Sequence, residues 1–180
     1  TLSLTESGQT GIDHFAFRTE SEEALHDLEA QLKDEGEEVT HVEAGTENGI
    51  GDAIRVNKFG HEYEFYWDVE KPRAPEEKRS GLLNRNYSES VANRIAPRRI
   101  DHIHVNDPGQ KAFDHDEWLR EKMHFQLNER YTDKDGEHWG FWYAVTPLPH
   151  DIAIHREAPD DPTQFHHVAF HLDSLQDLWT

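Results

Sequence analysis

The chain has 180 residues, with 37 Asp and Glu against 18 Lys and Arg, for a formal net charge of −19. That balance excludes a nucleic-acid binder, which needs a basic surface, and a protein that docks on anionic membranes. There is no cysteine, which excludes disulfides and thiolate chemistry.

Hydrophobic residues make up only 34%, yet five Trp and nine Phe interleave with the charges. The reading is a folded protein inside an acidic shell rather than a disordered acidic chain. Such a shell suits cytoplasm at high salt, where screening removes self-repulsion. A cytoplasmic protein from a halophilic source is expected. No apolar run approaches membrane-spanning length.

In chain order, Thr1 to Leu4 alternates as a strand, Ser7 to Gly11 turns, and Gly11 to Thr19 is a strand. Ser21 is a helix N-cap signal. Behind it Ala24, Leu25, Leu28 and Leu32 recur at helical spacing, with Gly36 as the stop. Strands over Val39–Ala44, Ala53–Asn57 and Glu62–Val69 complete a βαβββ unit. Residues 71–98 carry Pro72, Pro75, Gly81 and Pro97 and read as a linker, with one helix around Glu76–Arg85.

The pattern then restarts. Arg99–Val105 is a strand, Asn106–Gly109 a turn and Phe113–Met123 a helix. Strands over Phe125–Thr132, Trp139–Thr146 and His150–His155 follow, with a hairpin turn at Asp133–Gly136. Phe165 opens a third unit, and Ser174 opens a helix in which the chain stops. The predicted organisation is α+β. A βαβββ module spans 1–70, a linker 71–98 and an incomplete module 99–180. The lack of an initial Met and the stop within a helix predict a piece truncated at both ends.

One short pattern occurs three times: Ile12-Asp13-His14-Phe15-Ala16-Phe17, Ile100-Asp101-His102-Ile103-His104-Val105 and Phe165-His166-His167-Val168-Ala169-Phe170. Side chains alternate along a strand. His102 with His104, and His167 with Ala169, therefore share faces with apolar neighbours, and the repeat relates His102 to His167. Neutral imidazoles suit Fe(II), Mn(II) or Zn(II), and two His with a carboxylate form a facial metal triad. A lone His on such a face is more often a satisfied core residue, so the repeat carries the metal reading. His150 starts an alternating strand after a proline-bounded turn. It is either a solvated turn residue or an acid/base near neutral pH. His26, His41, His115, His124 and His138 lie on polar or turn stretches and are expected at the surface.

Repeated βαβββ units with strand His resemble the vicinal oxygen chelate (glyoxalase/extradiol dioxygenase) superfamily. The words Arg99-Ile100-Asp101-His102, Pro149-His150-Asp151-Ile152-Ala153 and Phe165-His166-His167-Val168-Ala169-Phe170 resemble, in order and spacing, the type I extradiol dioxygenases of the catechol 2,3-dioxygenase kind. Gly49-Ile50-Gly51-Asp52-Ala53-Ile54-Arg55-Val56 and Tyr63-Glu64-Phe65 match in the first half.

The resemblance implies O2-dependent extradiol cleavage of a catecholic ring beside its hydroxyls, with Fe(II), or alternatively Mn(II), as cofactor. It implies His102 and His167 as metal ligands, His150 as the acid/base, and Trp142 and His104 at the substrate pocket. His166 is expected to point away from the site. His104 departs from the Asn or apolar residue that relatives often carry. The third ligand is expected to be a Glu beyond Thr180, so this stretch alone is expected to be inactive. His14 and Glu64 match ligand positions of a module that binds no metal in the family, which implies a vestigial structural pair. The partners implied are the catecholic molecule and O2, without nucleic acid or membrane, in a homo-oligomeric parent. Two other readings on the same fold stay open: a non-catalytic small-molecule-binding module, and a metal-dependent isomerase or lyase.

Overall fold

The structure, a computed structural model, describes residues 2–8, 11–71, 76, 97, 99–161, 163–172 and 175. The chain divides into two compact units, one of Gly8–Pro72 and one of Thr1–Ser7 with Arg73–Thr180.

In the first unit, strand β1 (Phe15–Arg18) leads to helix α1 (Glu22–Asp34) and strands β2 (Val39–Val42), β3 (Ala53–Lys58) and β4 (His61–Tyr66). The sheet order is β1-β4-β3-β2. β1 runs parallel to β4, and the other pairs are antiparallel. The helix begins where its cap directs: the Ser21 hydroxyl accepts from the Ala24 amide at 3.0 Å. It ends in a left-handed Gly36, φ 84°. There the Gly36 and Glu37 amides bond the Lys33 and Leu32 carbonyls, the paired bonds of a Schellman stop.

Register sorts this sheet into two faces. Phe15 is opposite Tyr63, and Tyr63 opposite Val56; Phe17 is opposite Phe65, and Phe65 opposite Ile54. These apolar residues form one face, on which Phe15 and Tyr63 meet edge to face at 4.6 Å. The helix packs on this sheet and buries Leu25 and Leu32, each worth about 1.5–3 kcal/mol. The other face carries Ala16, Glu64, Arg55 and Thr40 in one cross-strand row.

The second unit repeats the plan. Strand β5 (Arg99–Pro108) is followed by helix α2 (Lys111–Glu121) and strands β6 (Gln126–Thr132), β7 (His138–Ala144), β8 (Ile152–Glu157) and β9 (Phe165–His171). The order is β6-β7-β8-β5-β9, with β5 parallel to β8 and antiparallel to β9. Ile103, Ile152 and Tyr143 make one apolar row, and Val105, Ile154 and Phe141 the next. The opposite face carries His167, His104, Ala153, Trp142 and Glu129 in one row across all five strands.

The structure departs from several expectations. Residues 2–7 form no strand. The expected turn at 106–109 is instead the end of β5, which pairs with β8 through Pro108 opposite Glu157. Pro108 is tolerated because the β9 ladder ends at Val105, so β5 is an edge strand on that side at Pro108 and a missing N–H breaks no ladder bond there. His115 is fully buried rather than exposed, and its Nδ1 lies 2.6 Å from Asp107 Oδ2. It falls at helical spacing with Ala112 and Leu119, both buried, a stripe already present in the sequence. Apart from Glu76 and Leu175, the helices expected around Glu76–Arg85 and after Ser174 lie outside the described residues. Among the described residues, no helix is long and apolar enough to cross a membrane.

Candidate metal centre

The polar face of the second unit gathers the residues singled out from the sequence. His102 Nε2 lies 3.1 Å from His167 Nε2. Two cis ligands at about 2.1 Å from one ion stand roughly 3.0–3.4 Å apart, so the spacing fits two corners of a metal polyhedron. His102 Nδ1 meets Asp101 Oδ2 at 3.0 Å. That bond puts the proton on Nδ1 and leaves the Nε2 lone pair facing His167, the carboxylate–histidine arrangement of metal sites. Burial alone would raise the Asp101 carboxyl, but hydrogen bonds from His102 and Arg99 hold it below the usual carboxylate range.

His150 stands beside this pair, its ring 4.2 Å from that of His102. The loop before it is tied down by Asp151. The Asp151 carboxylate accepts from the Val145 and Thr146 amides at 2.8 and 2.9 Å and from the Thr146 hydroxyl at 2.8 Å. The Asp151 carbonyl also accepts from the Ile103 amide, one residue past His102. Burial, then the neighbouring His102, lowers the pKa of His150, partly offset by Asp101, Glu129 and Asp151. Burial, His166, His102 and His150 lower that of His167. Both rings are therefore neutral at pH 7, the form that binds metal or accepts a proton.

His104 and Trp142 lie on the same face, their rings 6.3 Å apart. Desolvation, followed by His166, His167, His155 and His102, pushes the pKa of His104 down to about 3. Its Nε2 is buried without a hydrogen-bond partner. Trp142 has room because position 140 is glycine: a Cβ there would lie 2.6 Å from the indole.

His166 does not point away. His104 is opposite His167, while Val105 is opposite Phe165, so a bulge in β9 places His166 as the extra residue. The bulge turns the ring back, stacked on His104 at 4.7 Å and with Nδ1 2.6 Å from His167 Nδ1. His104, His166 and His167 thus form a three-imidazole cluster with donor atoms within 4.8 Å. Among the described residues, no carboxylate joins His102 and His167 in a three-ligand group.

The first unit holds a counterpart. His14 Nδ1 meets Asp13 Oδ2 at 2.7 Å, the same pairing as His102 with Asp101. His14 Nε2 faces Glu64 Oε2 at 3.7 Å, and Glu64 is 1% exposed. Arg55 crosses this group. Its Nε donates to Glu64 Oε2 at 2.7 Å and its Nη2 to Glu47 Oε1 at 2.9 Å. Burial works against the Arg55 charge, but hydrogen bonds to Glu64 and Glu47 outweigh it and raise the pKa.

Residues 12–70 match the family described as catechol 2,3-dioxygenase-like N-terminal domain. Over 179 residues the chain is 41% identical to the manganese-dependent 2,3-dihydroxybiphenyl 1,2-dioxygenase of Geobacillus genomosp. 3, covering 99% of this chain and 56% of that protein. It is 29% identical over 182 residues to the metapyrocatechase of Geobacillus stearothermophilus, covering 99% and 53%. The crystal structure of the 2,3-dioxygenase LapB from Pseudomonas sp. KL28 superposes with a TM-score of 0.77 at 24% identity, covering 96% of this chain and 58% of that one. The chain spans about half the length of the curated relatives it matches.

Proposed function

From the premise that this chain is a homologue of the extradiol dioxygenases, we propose that it serves in O2-dependent cleavage of a catechol-type ring beside its hydroxyl groups. The proposed division of labour is a non-catalytic module at 1–70, a linker at 71–98 and a catalytic module at 99–180. The observation that carries the proposal is the convergence of His102 and His167, 3.1 Å apart at Nε2, with the His150 ring 4.2 Å from that of His102.

His102 and His167 would hold Fe(II) or Mn(II). Imidazole with carboxylate suits either, and the 41% identical relative is described as manganese-dependent. When bound, the ion supplies Lewis-acid activation and a common template for substrate and O2. Asp101 fixes the His102 tautomer. His150, neutral at pH 7, would accept a proton from a catechol hydroxyl oxygen at an imidazole nitrogen and, as imidazolium, donate it back to an oxygen of the ring-derived product. Trp142 and His104 line the substrate side of the same face. The substrate class is a catechol or an aryl-substituted catechol.

The test is turnover of catechol and 2,3-dihydroxybiphenyl under air by the full-length protein loaded with Fe(II) or Mn(II). Absorbance of the yellow ring-fission product is the readout. His150→Phe lowers turnover about 10²–10⁴-fold with metal content unchanged, and His102→Ala and His167→Ala lose both metal and turnover. Ring cleavage that survives both ligand substitutions overturns the proposal.

A further inference from the structure

The metal-type cluster of the first unit already contains a cation, and that cation belongs to the chain. The ligand atoms of His14, Glu47 and Glu64 lie within 4.8 Å of one another; opposed bonds of about 2.1 Å span at most about 4.2 Å, so a small inward movement of the side chains would let all three hold one ion. The Asp13–His14 contact turns the His14 Nε2 lone pair inward, as Asp101 does for His102. Arg55 Nη2 stands among all three donors. It is 2.7 Å from Glu64 Oε2, 2.9 Å from Glu47 Oε1 and 3.4 Å from His14 Nε2.

We propose that Arg55 occupies and closes a latent divalent-metal site made by His14, Glu47 and Glu64. Its Nη2 sits where the ion would sit, so a dication can enter only by expelling the guanidinium. Expulsion is disfavoured. The guanidinium loses hydrogen bonds to two carboxylates, while like charges a few Å apart repel strongly at a half-buried site. Register explains why the plug exists in one unit alone. The first unit carries Glu64 beside Arg55 on neighbouring strands, where the second carries Ala153 beside Trp142. The buried Glu64 needs a positive partner, because an unpaired buried carboxylate is costly. Arg55 supplies that partner without metal, and metal is confined to the second unit. The inference does not depend on ring cleavage, because it concerns only which cation the first unit accepts.

The test uses Zn(II) and Mn(II) as probes and a His102→Ala/His167→Ala background to remove the paired imidazoles of the second unit. Zinc and manganese per chain are read by elemental analysis after dialysis, and the melting temperature is read with and without metal. Adding Arg55→Ala or Arg55→Met to that background is expected to give roughly one further equivalent of bound metal and a melting temperature that rises with metal. A further His14→Ala or Glu64→Gln abolishes both effects. A folded Arg55 variant that gains no metal overturns the proposal and leaves Arg55 as an ordinary buried ion pair. Where the variant unfolds without metal, refolding on zinc addition supports the proposal and failure to refold at saturating zinc overturns it. An independent check needs no change at Arg55. Metal bound by the background chain and lost on His14→Ala shows the site open with the guanidinium in place, and also overturns the proposal.

Discussion

His102 and His167 are 65 positions apart in sequence and 3.1 Å apart at their Nε2 atoms. Antiparallel pairing of β5 with β9 brings them together, with register shifts between Ile100 and His102 and between His104 and Val105. The orientation of each ring is then set by what its Nδ1 touches, Asp101 for His102 and His166 for His167.

Asp101 is thus a positioning residue for the candidate metal centre. Asp101→Asn keeps the shape and removes the negative charge that fixes the His102 tautomer. Affinity for Mn(II) or Zn(II), measured by titration calorimetry, is expected to fall about 10–100-fold, as for other carboxylates behind metal-binding His. Unchanged affinity would mean that His102 is held in place by packing alone.

The second prediction concerns acid stability of the metal-free protein. His104 titrates at about 3 in the fold against an ordinary 6.5. Between those values the unfolded chain binds a proton that the folded chain refuses, so stability falls as pH drops from 6.5 towards 3. Above pH 6.5 this group contributes no slope. The lowered His150 and His167 act with the same sign. In chelator-treated samples, His104→Asn is expected to flatten the decline of melting temperature with acid. A variant whose decline matches the parent would remove His104 as its source.

The third prediction concerns the glycine under Trp142. A glycine inside a strand marks a close approach, and here a Cβ at 140 would come within 2.6 Å of the indole. Gly140→Ala therefore forces the Trp142 ring to move, at a cost of about 1–3 kcal/mol. The change in tryptophan emission should disappear when Trp142→Phe is added. Emission identical to the parent would show that the ring was free to move already.

Much of this was legible in the sequence. The two βαβββ units, the Ser21 cap, the Gly36 stop and the hairpins follow from local alternation and turn chemistry. Alternation puts His102 and His167 on one face of the second sheet, as the 3.1 Å between their Nε2 atoms requires, whereas His14 precedes β1 and the same counting puts His166 on the opposite face. His115 lies on a polar stretch, yet its helical spacing with the buried Ala112 and Leu119 puts it on the core face of α2.

What the amino-acid order determined by itself is therefore which residues share a face. What only the tertiary structure decided is which faces meet and where the alternation breaks. His166 belongs on the far face by counting, and the bulge opposite His104 and Val105 returns it to the near one. Arg55 alternates with Ile54 and Val56 like any exposed strand residue, and only the β3–β4 register sets it beside Glu64. A bulge or a cross-strand ion pair depends on the partner strand, and residues distant in the chain carry no local signal of which partner they will find.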